Sequence, residues 1–212
     1  MIHFIIFTAM NKFEELYKST GNIGEFARGY FDYLMSVLNA LDLESIEQLE
    51  TEFEEARDNG NTIFVAGNGG SATTASTMAN DIGFDVIKKT GTNKPFKVLA
   101  LTDNTSVITA IANDVGYDNV FINQLKIHYR EGDKLLVISA SGNSENVVRA
   151  ATWVKEKEGR VIAFLGFTGG KLKEIADVVV HAKTAPGEYG PVEDAHLILN
   201  HVLAHWFQHK IK

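Results

Sequence analysis

Short apolar runs alternate with segments of helical periodicity through most of this chain, and this alternation restricts the fold more than any other feature. Five apolar runs predict strands, at residues 62–66, 96–101, 134–138, 160–165 and 177–181. Helix candidates follow them, at residues 72–85, 104–114, 117–129, 144–158, 169–176 and 191–210. Such alternation is typical of a parallel sheet that helices cover on both faces. We therefore expect an α/β protein, a three-layer α-β-α sandwich around a five-stranded parallel sheet.

The residues before the first strand predict further helices, near residues 13–20, 24–42 and 44–58. One apolar stripe on them, which includes Phe26 and Tyr30, requires a partner surface. Both the protein's own sheet and a second subunit are candidates for that partner. We assign residues 1–23 to an N-terminal extension and residues 24–212 to a single domain. An internal start at Met10, with residues 1–9 as an upstream artefact, is an alternative that the sequence leaves open.

Composition excludes several classes of function. The net charge is −7 over 212 residues with no basic stripe, which argues against nucleic-acid binding. The chain has no cysteine, so disulfides, thiolate metal ligands and a cysteine nucleophile are excluded. No apolar run reaches the roughly 20 residues of a membrane helix, and no signal peptide is recognisable. We expect a cytoplasmic protein that binds neither nucleic acid nor membrane.

The loop after the first predicted strand is rich in glycine, with the sequence Gly-Asn-Gly-Gly-Ser at residues 67–71. Between a strand and a helix, such a loop exposes backbone N–H groups at the positive end of the helix dipole, where anions bind. The loop also fits a loose dinucleotide-binding pattern, but the next strand ends at Asp103, later than that pattern requires. A tight turn that binds nothing is the third interpretation.

The loop after the third predicted strand, residues 139–144, contains three serines and an asparagine. Ser144 is suited to cap the following helix, which leaves Ser139 and Ser141 unexplained. Serine hydroxyls suit phosphate oxygens and sugar hydroxyls. Because both loops lie at the carboxyl edge of the presumed sheet, they predict one ligand with a phosphate and several hydroxyls.

Two helices carry candidate acid–base groups. Thr77 and Asp81 are spaced i,i+4 on the predicted helix 72–85 and so share one face. The last helix carries Glu193 and several histidines, among them His201 and His205 at a spacing that also suits a metal. By spacing alone, a solvated Asp81 and a structural His201 are the more common outcomes.

Six stretches of the sequence together carry a resemblance to a known family. They lie at residues 67–71, 101–106, 112–117, 138–146, 168–172 and 192–197. In this order they resemble the sugar isomerase (SIS) domain, and most of all its phosphoheptose isomerase group, over roughly residues 25–210. The set is highly specific for the fold and less specific for the reaction.

The resemblance implies a flavodoxin-like SIS fold and a homotetramer with active sites shared between subunits. It implies the interconversion of sedoheptulose 7-phosphate and D-glycero-D-manno-heptose 7-phosphate. The residues that it assigns to binding of this sugar phosphate are Asn68, Gly69, Gly70, Ser71, Asn113, Asp114, Ser139, Ala140, Ser141, Ser144 and Glu193. Among these, the serine loop would hold the phosphate.

The resemblance also bears on zinc. Family members typically have histidine at the position of Thr77, glutamate at that of Asp81 and glutamine at that of Glu193. The histidine of their last helix matches His201, and in metal-containing members these four positions bind zinc. Threonine at position 77 weakens that expectation, since zinc prefers nitrogen and sulfur donors. Asp81, Glu193 and His201 remain as candidate zinc ligands.

Aldose–ketose isomerisation requires a base near the carbon-bound proton, an acid for the carbonyl oxygen, and exclusion of water. We expect Asp81 and His201 to be this catalytic pair, since burial can give a carboxylate and an imidazole complementary protonation states near neutral pH. Two alternatives remain: a non-catalytic SIS module that binds a sugar phosphate as a regulator or scaffold, and an isomerase for a different ketose phosphate.

Overall fold

The computed structural model describes residues 11–211, so the proposed start at Met10 lies outside the described residues. Within them the chain forms a five-stranded sheet with strand order β2-β1-β3-β4-β5, and every neighbouring pair is parallel. The strands are β1 Thr62–Gly67, β2 Lys97–Ala100, β3 Lys134–Ser139, β4 Arg160–Gly166 and β5 Val178–Ala182. All five predicted strands are confirmed, and the strand order is the flavodoxin-like one.

Helices cover both faces of this sheet because its buried strands are apolar on both sides. On β3, Leu136 and Ile138 belong to a core shared with the helices at residues 43–59, 70–78 and 189–210, whereas Leu135 and Val137 belong to a core shared with the helices at residues 120–128 and 145–156. This alternation follows from the two-residue period of a strand. The three-layer α-β-α sandwich is therefore confirmed.

The helices lie close to their predicted positions. They are α1 Lys12–Ser19, α2 Ile23–Asn39, α3 Leu43–Asn59, α4 Gly70–Met78, α5 Val86–Thr90, α6 Thr105–Val115, α7 Val120–His128, α8 Glu145–Glu156, α9 Leu172–Ile175 and α10 Tyr189–Lys210. The predicted helix 169–176 is longer than the observed helix α9. It cannot begin at residue 169, because Gly169 and Gly170 both have positive φ angles. Within residues 11–211, no helix is both long and apolar enough to cross a membrane.

The predicted helix 72–85 is not one regular α-helix. After α4, residues Ala79–Asp85 form a π-helix, which then continues as α5. A π-helix is rare and is frequently found at functional sites. Asp81 lies inside it, with its neighbour Ile82 fully buried in the core. The backbone that carries Asp81 therefore has a different rotation per residue from the α-helix that carries Thr77.

The N-terminal helices pack against the rest of the chain. The ring of Phe13 on α1 stacks on Tyr30 of α2 at a centroid distance of 5.4 Å. The backbone N–H of Lys12 donates to the buried carboxylate of Glu188, just before α10. The division into an extension, residues 1–23, and a domain, residues 24–212, stays a prediction.

Candidate functional site

The glycine loop and the serine loop meet at the carboxyl edge of the sheet. They follow β1 and β3, which are neighbours across the point where the strand order reverses, and ligands bind there in folds of this type. A cavity of about 120 Å³ lies between them. Its lining residues are Asn68, Ser71, Ile138, Ser139, Ala140, Ser141, Ser144, Tyr189 and Glu193. We call this space the loop cavity.

The serine hydroxyls of the loop cavity keep their hydrogens available. The Oγ of Ser139 accepts from the backbone N–H of Gly142 at 3.1 Å, and the Oγ of Ser141 accepts from that of Asn143 at 3.2 Å. Ser144 occupies the N-cap position of α8, but within the described residues its side chain makes no capping bond. Capping therefore does not account for Ser144. All three hydroxyls can donate to the oxygens of an anion.

A second loop holds the serine loop in its shape. Gly142 has a φ of +65°, and a Cβ there would collide with the backbone carbonyl of Gly169. A Cβ on Gly170, whose φ is +54°, would likewise collide with the carbonyl of Ser141. Glycine is required at both positions for this close approach. The loop after β4 therefore fixes the position of the hydroxyl groups.

The side chain of Asn68 is largely occupied by protein contacts. Its amide and that of Asn146 donate to each other, each at 2.9 Å. The hydroxyl of Tyr117 adds a third bond, to Asn68 Oδ1 at 2.9 Å. One N–H of Asn68 is left for a ligand. The amide pair links the glycine loop to α8, so the two loops are held together from both sides.

Glu193 brings a carboxylate to the loop cavity. A Cβ on Gly70 would collide with this carboxylate, so Glu193 lies directly against the N-terminus of α4. Burial raises the pKa of Glu193, and the charge of Asp194 adds to the rise. Asp194 itself accepts a hydrogen bond from Tyr30 of α2 at 2.5 Å.

Asp81 and His201 lie in a second space, which we call the acid–base cavity. It has a volume of about 210 Å³. Its lining residues are Asp81, Asp85, Lys89, His201, Ala204, His205 and Gln208. His201 Nε2 lies 3.6 Å from Asp81 Oδ2, and the amide of Asn200 donates to the same oxygen at 2.8 Å. The predicted catalytic pair is therefore together.

The structure separates some of the predicted site residues. Glu193 and His201 are eight residues apart on α10, which places them about 12 Å apart along its axis. Asn113 and Asp114 lie exposed at the end of α6, outside the lining residues of both cavities. Asn113 donates to Asp114 at 2.8 Å. A role of these two residues in substrate binding stays a prediction.

The residues predicted to bind zinc do not converge. In the part of the chain that the structure describes, no three histidine, aspartate or glutamate side chains are grouped so that they could hold a metal ion. Thr77 donates its hydroxyl to the carbonyl of Thr73, and Glu193 lines the loop cavity rather than the acid–base cavity. This arrangement does not fit a zinc ion, and we derive no chemical step through one.

Four residues at these cavities were not recognised in the sequence. They are Tyr117, Asn146, Tyr189 and Asn200. Asn146 and Tyr117 fall within stretches that match the family, so their position was a usable signal. Asn200 has no such signal apart from its place beside His201. Polar contacts between distant segments determine these roles, and spacing in the sequence does not reveal such contacts.

Comparison with known proteins identifies relatives of this chain. The family model described as SIS domain matches residues 29–166. The chain is 37% identical to a phosphoheptose isomerase of Aneurinibacillus thermoaerophilus over 162 residues, 76% of this chain and 79% of that protein. It is 31% identical to phosphoheptose isomerase 2 of Campylobacter jejuni over 191 residues, 86% of this chain and 90% of that protein.

A solved structure extends the likeness to three dimensions. The phosphoheptose isomerase of Neisseria gonorrhoeae superposes with a TM-score of 0.76 at 30% identity, which covers 88% of this chain and 98% of that one. The chain is therefore similar to this relative in its fold as well as in its sequence. The chain therefore belongs to the SIS domain family, with phosphoheptose isomerases among its relatives.

Proposed function

We propose that this protein interconverts sedoheptulose 7-phosphate and D-glycero-D-manno-heptose 7-phosphate. The observation that carries the proposal is the loop cavity, where three serine hydroxyls with available hydrogens lie beside a helix N-terminus and a carboxylate. Such a site suits a phosphate with an attached polyol. The names of the relatives supply the class of sugar.

In this proposal the serine loop holds the phosphate. The hydroxyls of Ser139, Ser141 and Ser144, with the backbone at Ala140, bind its oxygens. The glycine loop at Asn68, Gly69, Gly70 and Ser71 then faces the sugar, and the family positions alone assign Asn113 and Asp114 of α6 to sugar binding. Glu193 orients the sugar hydroxyls. These assignments follow the family positions and the lining of the loop cavity.

The chemical step is assigned to Asp81 and His201. The Asp81 carboxylate takes the proton from the carbon beside the carbonyl, while His201 gives a proton to the carbonyl oxygen, which forms an enediol. Return of a proton to the neighbouring carbon and removal of one from the other oxygen completes the isomerisation. The 3.6 Å between His201 Nε2 and Asp81 Oδ2 supports this assignment, because two groups at that separation can act on adjacent atoms of one substrate.

A homotetramer is part of the proposal. Large apolar side chains are exposed on α1 and α2, namely Tyr17, Ile23, Phe31 and Met35. Exposed apolar groups on consecutive helices are typical of a subunit interface. Sites shared between subunits would also let the loop cavity of one subunit work with an acid–base cavity of another. The cytoplasmic location stays a prediction.

The test is NMR spectroscopy of sedoheptulose 7-phosphate in D₂O, with metal-free and with zinc-supplemented protein. We expect an aldose signal and deuterium beside the carbonyl. A faster rate with zinc would support the predicted zinc site. Equal rates for the metal-free and the zinc-supplemented protein would argue against it. Binding of the sugar phosphate without exchange under either condition would contradict the proposal and favour a non-catalytic regulator or another sugar phosphate.

A matched variant locates the chemistry. We expect His201→Ala to lower kcat far more than it weakens binding of the sugar phosphate, because His201 lies outside the loop cavity. Isothermal titration with the sugar phosphate measures the binding. An unchanged kcat would remove His201 from the mechanism.

A further inference from the structure

We propose that Asn200 is a positioning residue for the Asp81 carboxylate. This inference rests on the proposed function, in which Asp81 takes the proton. Asn200 lies on α10 immediately before His201 and is fully buried. Its Nδ2 donates to Asp81 Oδ2 at 2.8 Å. One residue of α10 thus holds the carboxylate, and the next supplies the imidazole.

The other contacts of Asp81 do not fix its carboxylate in the same way. Asn80 donates to Asp81 Oδ1 at 2.9 Å, but its side chain is exposed and directly adjacent in the chain. At 3.6 Å, His201 is beyond hydrogen-bond distance. Lys89, in the same cavity, donates instead to Gln208 at 3.1 Å. In the region that the structure describes, Asn200 is therefore the buried donor to Asp81.

Support from α10 matters because of the backbone that carries Asp81. The residue lies in the π-helix Ala79–Asp85, and its side chain is only 18% exposed. The hydrogen bond from Asn200 connects this irregular segment to a regular 22-residue helix. Catalysis depends strongly on such orientation, since a displacement of about 1 Å can cost about 100-fold in rate.

Stability alone does not explain an asparagine at this position. Asn200 Oδ1 is buried, and among the described residues it has no hydrogen-bond partner. A buried polar atom without a partner is unfavourable, whereas an apolar side chain of similar size is not. Leucine at position 200 would remove the unpaired oxygen and extend the core that already contains Leu199 and Leu203. The amide therefore costs stability, and its bond to Asp81 is the compensating feature.

This reasoning predicts opposite effects on stability and on rate. We expect Asn200→Leu to keep or raise the urea midpoint of unfolding and to lower kcat about 10- to 100-fold, because Asp81 loses its orientation. KM and the affinity for the sugar phosphate should change less than about threefold, since Asn200 lies outside the loop cavity. Asn200→Asp keeps the size of the side chain but replaces the amide, so kcat should fall in the same way. This variant is used instead if Asn200→Leu does not fold.

The control is Gln124→Leu, which removes another buried amide. Gln124 donates to two backbone carbonyls, those of Leu101 and Val120, and we expect lower stability with unchanged kcat per folded molecule. Wild-type kcat in a folded Asn200 variant would overturn the proposal, as would loss of stability without loss of kcat. Absence of isomerisation by the wild-type protein would instead overturn the proposed function, and this inference with it.

Discussion

At the amino ends of the strands, Lys134 and Glu52 are both buried and bind each other, with Nζ and Oε2 2.5 Å apart. Arg160 pairs with the same carboxylate. At the carboxyl ends, the hydroxyls of Ser139, Ser141 and Ser144 donate no hydrogen bond within residues 11–211. One edge of the sheet therefore pairs its charges within the protein, whereas the other keeps donors available.

The difference separates structural from functional polar groups. A buried charge must be paired or it destabilises the fold, so loss of one member of a pair at the amino edge leaves the other member uncompensated. Free donors beside a cavity contribute little to folding, and in the proposed function they bind a ligand. A polar residue whose hydrogen-bond or ion-pair partners lie within the chain is thus a candidate for a structural role, and one with free donors at a cavity is a candidate for a functional role.

The largest expected effect on stability comes from breaking the buried pair of Lys134 and Glu52. Glu52→Ala leaves Lys134 buried beside a single exposed partner, Glu55, and we expect a loss of about 3–5 kcal/mol in the free energy of unfolding. Urea denaturation measures it. Glu55→Ala is the matched control, since its side chain is exposed, and should cost less than about 1 kcal/mol. Equal losses in the two variants would contradict this reading of the amino edge.

His196 tests the same distinction near the carboxyl ends of the strands. It is buried, its Nε2 bonds to the carbonyl of Leu165, and burial lowers its pKa to about 4. Between pH 6.5 and 4 the unfolded chain binds a proton that the folded protein does not, so stability falls as the pH falls. From pH 7.5 to pH 5 this amounts to about 2 kcal/mol.

The matched variant is His196→Gln, which keeps a donor but cannot titrate. We expect the wild-type protein to lose about 2 kcal/mol more than this variant between the two pH values, as measured by urea denaturation. Parallel losses would mean that His196 does not carry the pH dependence. The acid effect would then come from another histidine whose pKa is lowered by burial, such as His181.

The smallest expected effect on stability is at the serine loop. Ser144→Ala removes no capping bond, so the free energy of unfolding should change by less than about 0.5 kcal/mol. Affinity for the sugar phosphate should fall about tenfold, since one hydrogen bond to a charged group is lost. Asn104→Ala removes a side chain that does cap α6 and should cost about 1 kcal/mol. Unchanged affinity in Ser144→Ala would remove this hydroxyl from the phosphate site.

The sequence was sufficient for the layers of the fold and for the two loops, because periodicity and glycine content are local signals. It also indicated which strands precede the loops, and the reversal of strand order then brings the loops together. Three features were not predicted from the sequence: the π-helix at Ala79–Asp85, the amide pair of Asn68 and Asn146, and the hydrogen bond from Asn200 to Asp81. The two side-chain contacts join segments far apart in the chain, and tertiary packing rather than local propensity decides the π-helix.

The π-helix has a consequence for how this site can change. Its i→i+5 bonds use more residues per turn than an α-helix, so it holds residues that an α-helical path would not need. Seven π-helical residues turn the chain about as far as six α-helical ones, so deletion of one residue there, with return to α-helical bonding, would leave α5 in nearly the same rotational phase relative to α4. Lys89 would then keep its place at the acid–base cavity, whereas Asp81, which lies inside the segment, would change its direction. The additional residue therefore sets the direction of Asp81 without turning the helix that follows.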